Sequence, residues 1–130
     1  MVRPRIAVAG GGAPLGRRWR LVAPDLLLVE CANIIWKKVR LGELARPDGD
    51  AALAALRSGP IDLLDTRPLV ERALHLAHEI DHPLYDCVYL AAAEAVDAMV
   101  VTADRRFFDR CPPPMRRSRI AWLADWASAS

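Results

Sequence analysis

Long apolar runs are missing from this sequence: none reaches the roughly 20 residues that a membrane span takes. LLLVECANII and VYLAAAEAV come nearest, and each is interrupted by a glutamate. No membrane span and no membrane partner are expected. Cysteine is also scarce. Cys31, Cys87 and Cys111 are odd in number, widely spaced and without a CxxC pair, which argues against a disulfide framework, a zinc site or dithiol redox chemistry. No secretory signal is expected either, because IAVAGGGAPLG is a poor apolar core for one; the expected location is the cytoplasm. Charge of one sign is nearly absent in sum, at +2, although lysines and arginines come in clumps such as RRWR, KKVR and RRSR. The last shortage is acid near the start, where no Asp or Glu precedes Asp25.

What remains is the composition of a folded domain. With 53% hydrophobic and 26% charged residues, the chain is expected to form one globular domain over 1–130, with 1–20 as an atypical amino-terminal segment. RIAVA at 5–9 reads as a short strand and Gly10 to Arg20 as loop. Pro24 and Asp25 open a helix expected over 26–41, whose apolar stripe is Leu28, Cys31, Ala32, Ile35 and Val39. A short helix is expected over 48–57 and a strand over 61–65. Leu69, Ala73, Leu76, Ala77 and Ile80 recur at helical spacing between Arg67 and Ile80, and a further helix runs from Leu84 to about Val96. AMVVT at 98–102 suits a buried parallel strand, a short helix follows over 105–109, and RIAWLAD at 119–125 reads as a last strand. Strands separated by helices imply βαβ units, hence an α/β sandwich with a small, mostly parallel sheet.

Three carboxylates stand out from this frame. Glu30 lies in LVAPDLLLVECANIIWKK, an otherwise apolar helix, with Asn33 and Lys37 on the same strip. Asp86 falls in the first turn of a helix in HPLYDCVYLAAAE, and Asp104 lies just past a strand in MVVTADRRFF. Open parallel sheets build their sites at the carboxyl ends of strands, where Asp104 belongs. For any one of these acids alone, an ordinary salt bridge is the commoner explanation. Together they suit a hard cation, which takes oxygen ligands and supports phosphodiester hydrolysis.

These blocks resemble the conserved blocks of PIN-domain ribonucleases of the VapC toxin type, over roughly Leu21 to Trp126. The resemblance implies a PIN-like three-layer α/β/α sandwich and Mg²⁺- or Mn²⁺-dependent cleavage of an RNA substrate. It also implies a homodimer held silent by a cognate antitoxin. Carried over by position, Glu30, Asp86 and Asp104 are the catalytic and metal-binding acids, with Asn33 and Thr102 in support. Lys37, Lys38, Arg105 and Arg106 would track the RNA backbone through charge. Family members begin with a strand that ends in aspartate. Here that place falls near Ala9 or Gly10, so one ligand is missing and cation affinity is expected to fall. The alternative is a PIN-like domain impaired in catalysis that binds RNA or an antitoxin.

Three further signals carry less. Gly10, Gly12 and Gly16 are wrongly spaced for a phosphate loop, and Pro14 and RRWR leave no helix start behind them. His75, His78 and His82 share helical spacing but read as a solvated face, with His82 outside the helix because proline follows it. Trp36, Trp122 and Trp126 read as core or dimer-contact aromatics.

Overall fold

A computed structural model describes residues 5–10 and 19–129, with side chains from 20 to 126. The chain forms a mixed α/β fold around one five-stranded sheet. Its strands are β1 (Arg5–Gly10), β2 (Trp19–Pro24), β3 (Ile61–Leu64), β4 (Met99–Thr102) and β5 (Ile120–Trp122), in the spatial order β3-β2-β1-β4-β5. Between them run α1 (Leu26–Arg40), α2 (Arg46–Ser58), α3 (Val70–Ile80) after a single 3₁₀ turn, α4 (Leu84–Val96), α5 (Arg105–Arg110) and α6 (Pro113–Ser118). Helix α7 (Leu123–Ala129) follows β5.

The central helix is α4. Asp86 through Ala93 are all buried, and the run Ala91-Ala92-Ala93 lets its backbone come close to β1, β2 and β4. A helix apolar on every side belongs in a core. Helix α3 packs on α4 through Ala73, Leu76 and Ile80, members of the stripe expected from spacing. Helix α1 differs: it has no fully buried residue and packs chiefly on α2, so its apolar stripe is only half-covered. There Gly49 sits under Ile35, where a Cβ would come within 2.7 Å of the Ile35 Cγ2, which explains a glycine inside α2.

The buried thiols belong to the same core. Burial pushes Cys87 up to about 12 and Cys111 up to about 11, so both stay protonated near neutrality. This chemistry suits inert core residues.

Four strands, β2 to β5, run in one direction and β1 runs against its neighbours on both sides. Chain length gives the reason. Only residues 11–18 separate β1 from β2, whereas a parallel neighbour requires a crossover of a dozen residues or more. An antiparallel connection closes over that distance.

Three expectations need correcting. Trp19–Pro24 is a strand rather than loop and helix start, because LVA pairs in register with IDL of β3. The last strand stops at Trp122, and Leu123 onward is helix; the alternation in RIAWLAD is too short to outweigh the alanine-rich helical stretch that follows. A short helix, α6, fills 113–118 after Pro112, a segment left without structure by the sequence pattern. Gly12, Pro14 and Gly16, and most of the expected loop, lie outside the described residues.

Candidate active site

Beyond the carboxyl end of β4, the chain turns through Ala103 into α5. Asp104 caps this short helix: its Oδ1 accepts the amides of Arg106 at 3.1 Å and Phe107 at 3.3 Å. The Asp104 amide in turn donates to Thr102 Oγ1 at 3.0 Å, and Thr102 is fully buried. Backbone and carboxylate of Asp104 are therefore both anchored, while Oδ2 makes no bond among the described residues.

Asp86 reaches the same place from α4. It is buried, and His82 Nε2 meets its Oδ2 at 2.5 Å. Asp81, His82, Asp86, Asp104, Arg106 and Arg110 line one cavity of about 280 Å³. The two aspartates singled out from sequence thus share a pocket with two arginines one helical turn apart.

Glu30 is placed differently. It is half-buried on α1 and outside that cavity, and its Oε1 accepts a bond from the buried Tyr89 hydroxyl at 2.7 Å. Tyr89 lies three positions after Asp86 on α4, one turn further along the same side. Asn33 is exposed on α1. Lys37 and Lys38 are exposed in the last turn of α1, away from the cavity, and Lys38 pairs with Glu43 at 3.5 Å. Arg105 also turns elsewhere: it pairs with Asp109 at 3.2 Å and lies over the rings of Phe108 and Trp122. Of the four basic residues singled out for RNA, only Arg106 lines the cavity.

Four residues escaped the sequence reading. His82 is buried instead of solvated, while His75 and His78 are exposed as expected. Its signal was the spacing His82-Pro83-Leu84-Tyr85-Asp86, which puts an imidazole four residues before a carboxylate at a helix start. Arg110, Tyr89 and Phe107 had no signal of their own beyond ordinary helix periodicity. Trp36 is 55% exposed with Arg40 beside its ring, so it does not serve as core in this chain.

The place of the missing acid also moves. In the antiparallel register Ala9 pairs with Arg20 and Gly10 with Trp19, at the end of β1 away from Asp104. The residue opposite Thr102 is Arg5. The site end of the central strand therefore carries a basic residue, and the expectation that Ala9 or Gly10 marks the vacancy is wrong because it assumed a strand running the other way.

The PIN domain family matches residues 15–112. The chain belongs to the PIN domain family. PIN domains are generally nucleases and typically use divalent metal ions, so this PIN domain has a nuclease fold. The match leaves β1 outside it and takes in β2 through α5, the elements that carry Glu30, Asp86 and Asp104. No curated protein matches the chain. No helix among the described residues is long and apolar enough to cross a membrane.

The donor set can be tested against a divalent ion directly. Among the described residues no three His, Cys, Asp or Glu side chains come close enough to enclose one. Those side chains alone do not form a closed cage. Mg²⁺ needs none: it keeps several waters and binds through one or two carboxylates plus substrate phosphates. Asp86 and Asp104 in one cavity fit this open kind of site.

Proposed function

We propose that this PIN domain is a metal-dependent RNA endonuclease of reduced activity, the toxin component of a toxin–antitoxin pair of the VapC type. The observation that carries the reading is the shared cavity: Asp86 and Asp104 flanked by Arg106 and Arg110. Asp86 and Asp104 would hold Mg²⁺ or Mn²⁺, with Glu30 outside the cavity on α1. Such an ion supplies polarisation of the scissile phosphate and a lowered pKa for bound water.

The protein's own contribution is positional. Arg106 and Arg110 offer guanidinium groups to a phosphate at the mouth of the cavity, giving affinity that falls with salt. Anchored at backbone and side chain, Asp104 presents Oδ2 with little freedom to lose. Glu30, held by the Tyr89 hydroxyl, would add negative charge on the α1 side of the acids without closing a cation's shell. Thr102 and Asn33 would support the acids from β4 and α1. Lys37, Lys38 and Arg105 would extend the track for RNA away from the cavity.

A cognate antitoxin and a second copy of the chain are the protein partners this reading calls for. Val29, Trp36 and Leu41 expose apolar surface along α1, and Ala32, Ile35, Trp36, Val39 and Leu53 line a groove of about 380 Å³ between α1 and α2. Surface of this kind suits a cognate antitoxin and a homodimer contact.

Arg5 opposite Thr102 favours a second reading, in which the domain binds RNA or an antitoxin without cutting. Cleavage of a structured RNA in Mn²⁺ separates the two. The parent is expected to cut slowly, to stop with a chelator, and to lose detectable cleavage as Asp86→Asn. Retained RNA binding with no cleavage by the parent would leave the second reading, and chelator-resistant cleavage would sink the first.

A further inference from the structure

Asp86 and Asp104 come from different helices, and two carboxylates at one cavity repel each other. Something must hold them at a fixed separation. A continuous series of contacts runs from one to the other through the protein. His82 Nε2 meets Asp86 Oδ2 at 2.5 Å, the His82 ring stacks on Phe107 at 5.0 Å between centroids and 11° between planes, and the Phe107 amide donates to Asp104 Oδ1 at 3.3 Å.

Each member of this series is itself immobilised. Asp81 closes α3 in the left-handed conformation at φ 51°, and the amides of both Asp81 and His82 donate to Ala77 O. Pro83 then caps α4, so the backbone around His82 is locked between two helix ends. The His82 side chain is 5% exposed and Phe107 has no exposed surface. Neither residue is placed to take hold of RNA. An imidazole that meets a carboxylate oxygen through Nε2 donates N–H there, which fixes its tautomer and turns the carboxylate with it.

We propose that His82 and Phe107 are positioning residues, a strut between α4 and α5 that sets the orientation of Asp86 and its separation from Asp104. The proposal rests on the nuclease reading only for what the two acids hold; the strut is a property of the folded chain. Phe107 is the joint, since its backbone secures one acid and its ring backs the residue that secures the other. The pattern to look for is His-Pro-x-x-Asp at one helix start and Asp-x-x-Phe at the next.

Three variants test it. His82→Phe keeps a ring against Phe107 and removes the donor, His82→Gln supplies an amide donor at about the reach of Nε2, and Phe107→Leu keeps the amide and removes the stack. Crystal structures of the parent and the variants read the strut directly. In His82→Phe the Asp86 carboxylate is expected to turn away from its parental rotamer, in His82→Gln to keep it, and in Phe107→Leu to move relative to Asp104. Mn²⁺ titration by calorimetry is expected to show binding weakened by about tenfold or more, to the edge of detection, in His82→Phe and largely rescued in His82→Gln. An Asp86 carboxylate in its parental position in both His82→Phe and Phe107→Leu overturns the proposal, as does equal Mn²⁺ affinity in His82→Phe and His82→Gln. A parent that binds no Mn²⁺ would defeat the nuclease reading, and the crystallographic comparison would still decide the strut.

Discussion

An aspartate introduced at position 5 is expected to tighten Mn²⁺ binding by roughly tenfold or more, while one introduced at position 9 leaves it unchanged. The contrast follows from strand direction. Arg5 pairs with Thr102, two residues before Asp104, whereas Ala9 pairs with Arg20 toward the other end of β1. Four residues of strand separate the two positions, about 13 Å. Arg5→Asp replaces a basic residue by an acidic one at the backbone position level with Thr102, and affinity for hard cations rises with the count and charge of oxygen ligands. Ala9→Asp adds charge too far away to coordinate and, at ordinary ionic strength, largely screened. Calorimetric titration of Arg5→Asp, Ala9→Asp and the parent checks this. A gain in Ala9→Asp alone would mean that β1 lies parallel to β4 in solution and that the antiparallel register is wrong.

The second large effect concerns stability. Phe107→Ala is expected to cost about 3–5 kcal/mol, the range for emptying a buried aromatic site. Phe107 is fully buried and packs in the same core as Cys87, Leu90 and Ile120, with its ring against His82. Domains of this size have only about 5–15 kcal/mol in total, so the variant should melt roughly 10 °C or more below the parent. The neighbouring Phe108 is half-buried against Trp122, and Phe108→Ala should cost distinctly less. Thermal unfolding of both variants provides the check. Equal losses would remove Phe107 from its central place between α4 and α5.

Much of the fold was legible because its helices carry clear periodicity. Leu76 and Ile80 announced the buried side of α3, and the apolar length of AMVVT announced β4 as a buried strand inside the sheet. The first strand was legible as an element and not as a direction. Direction depends on how much chain is available to cross the sheet, and the eight residues between Gly10 and Trp19 rule out the crossover that a parallel strand requires. β2 was hidden because RRWR looks like solvated loop and APD like a helix start, so the strand between them was only LVA.

The candidate site was half legible. Asp86 and Asp104 announced themselves through their frames, and both line the cavity. Which cations face it was not readable, since Arg105 and Arg106 are neighbours in sequence and point to different surroundings: one to Asp109 and Trp122, the other to the acids. His82 was misjudged for a related reason. Proline after it does end the helix, yet a residue in a tight corner between two helices is buried as readily as one inside either.

Among the described residues, the site that emerges is open and short of ligands. Its two aspartates are firmly held, Glu30 lies outside the cavity on α1 and accepts the Tyr89 hydroxyl, and the central strand brings a basic residue to the end where the resemblance calls for an acid. Affinity for a divalent ion should then be weak and should depend on both aspartates. Titration of the parent with Mn²⁺ by calorimetry, beside Asp86→Asn and Asp104→Asn, measures this most directly. The expected result is one ion per chain with a dissociation constant on the order of 10⁻⁴–10⁻³ M, the weak end for oxygen-ligand sites, and no binding by either variant. Micromolar binding that survives Asp86→Asn or Asp104→Asn would contradict the account.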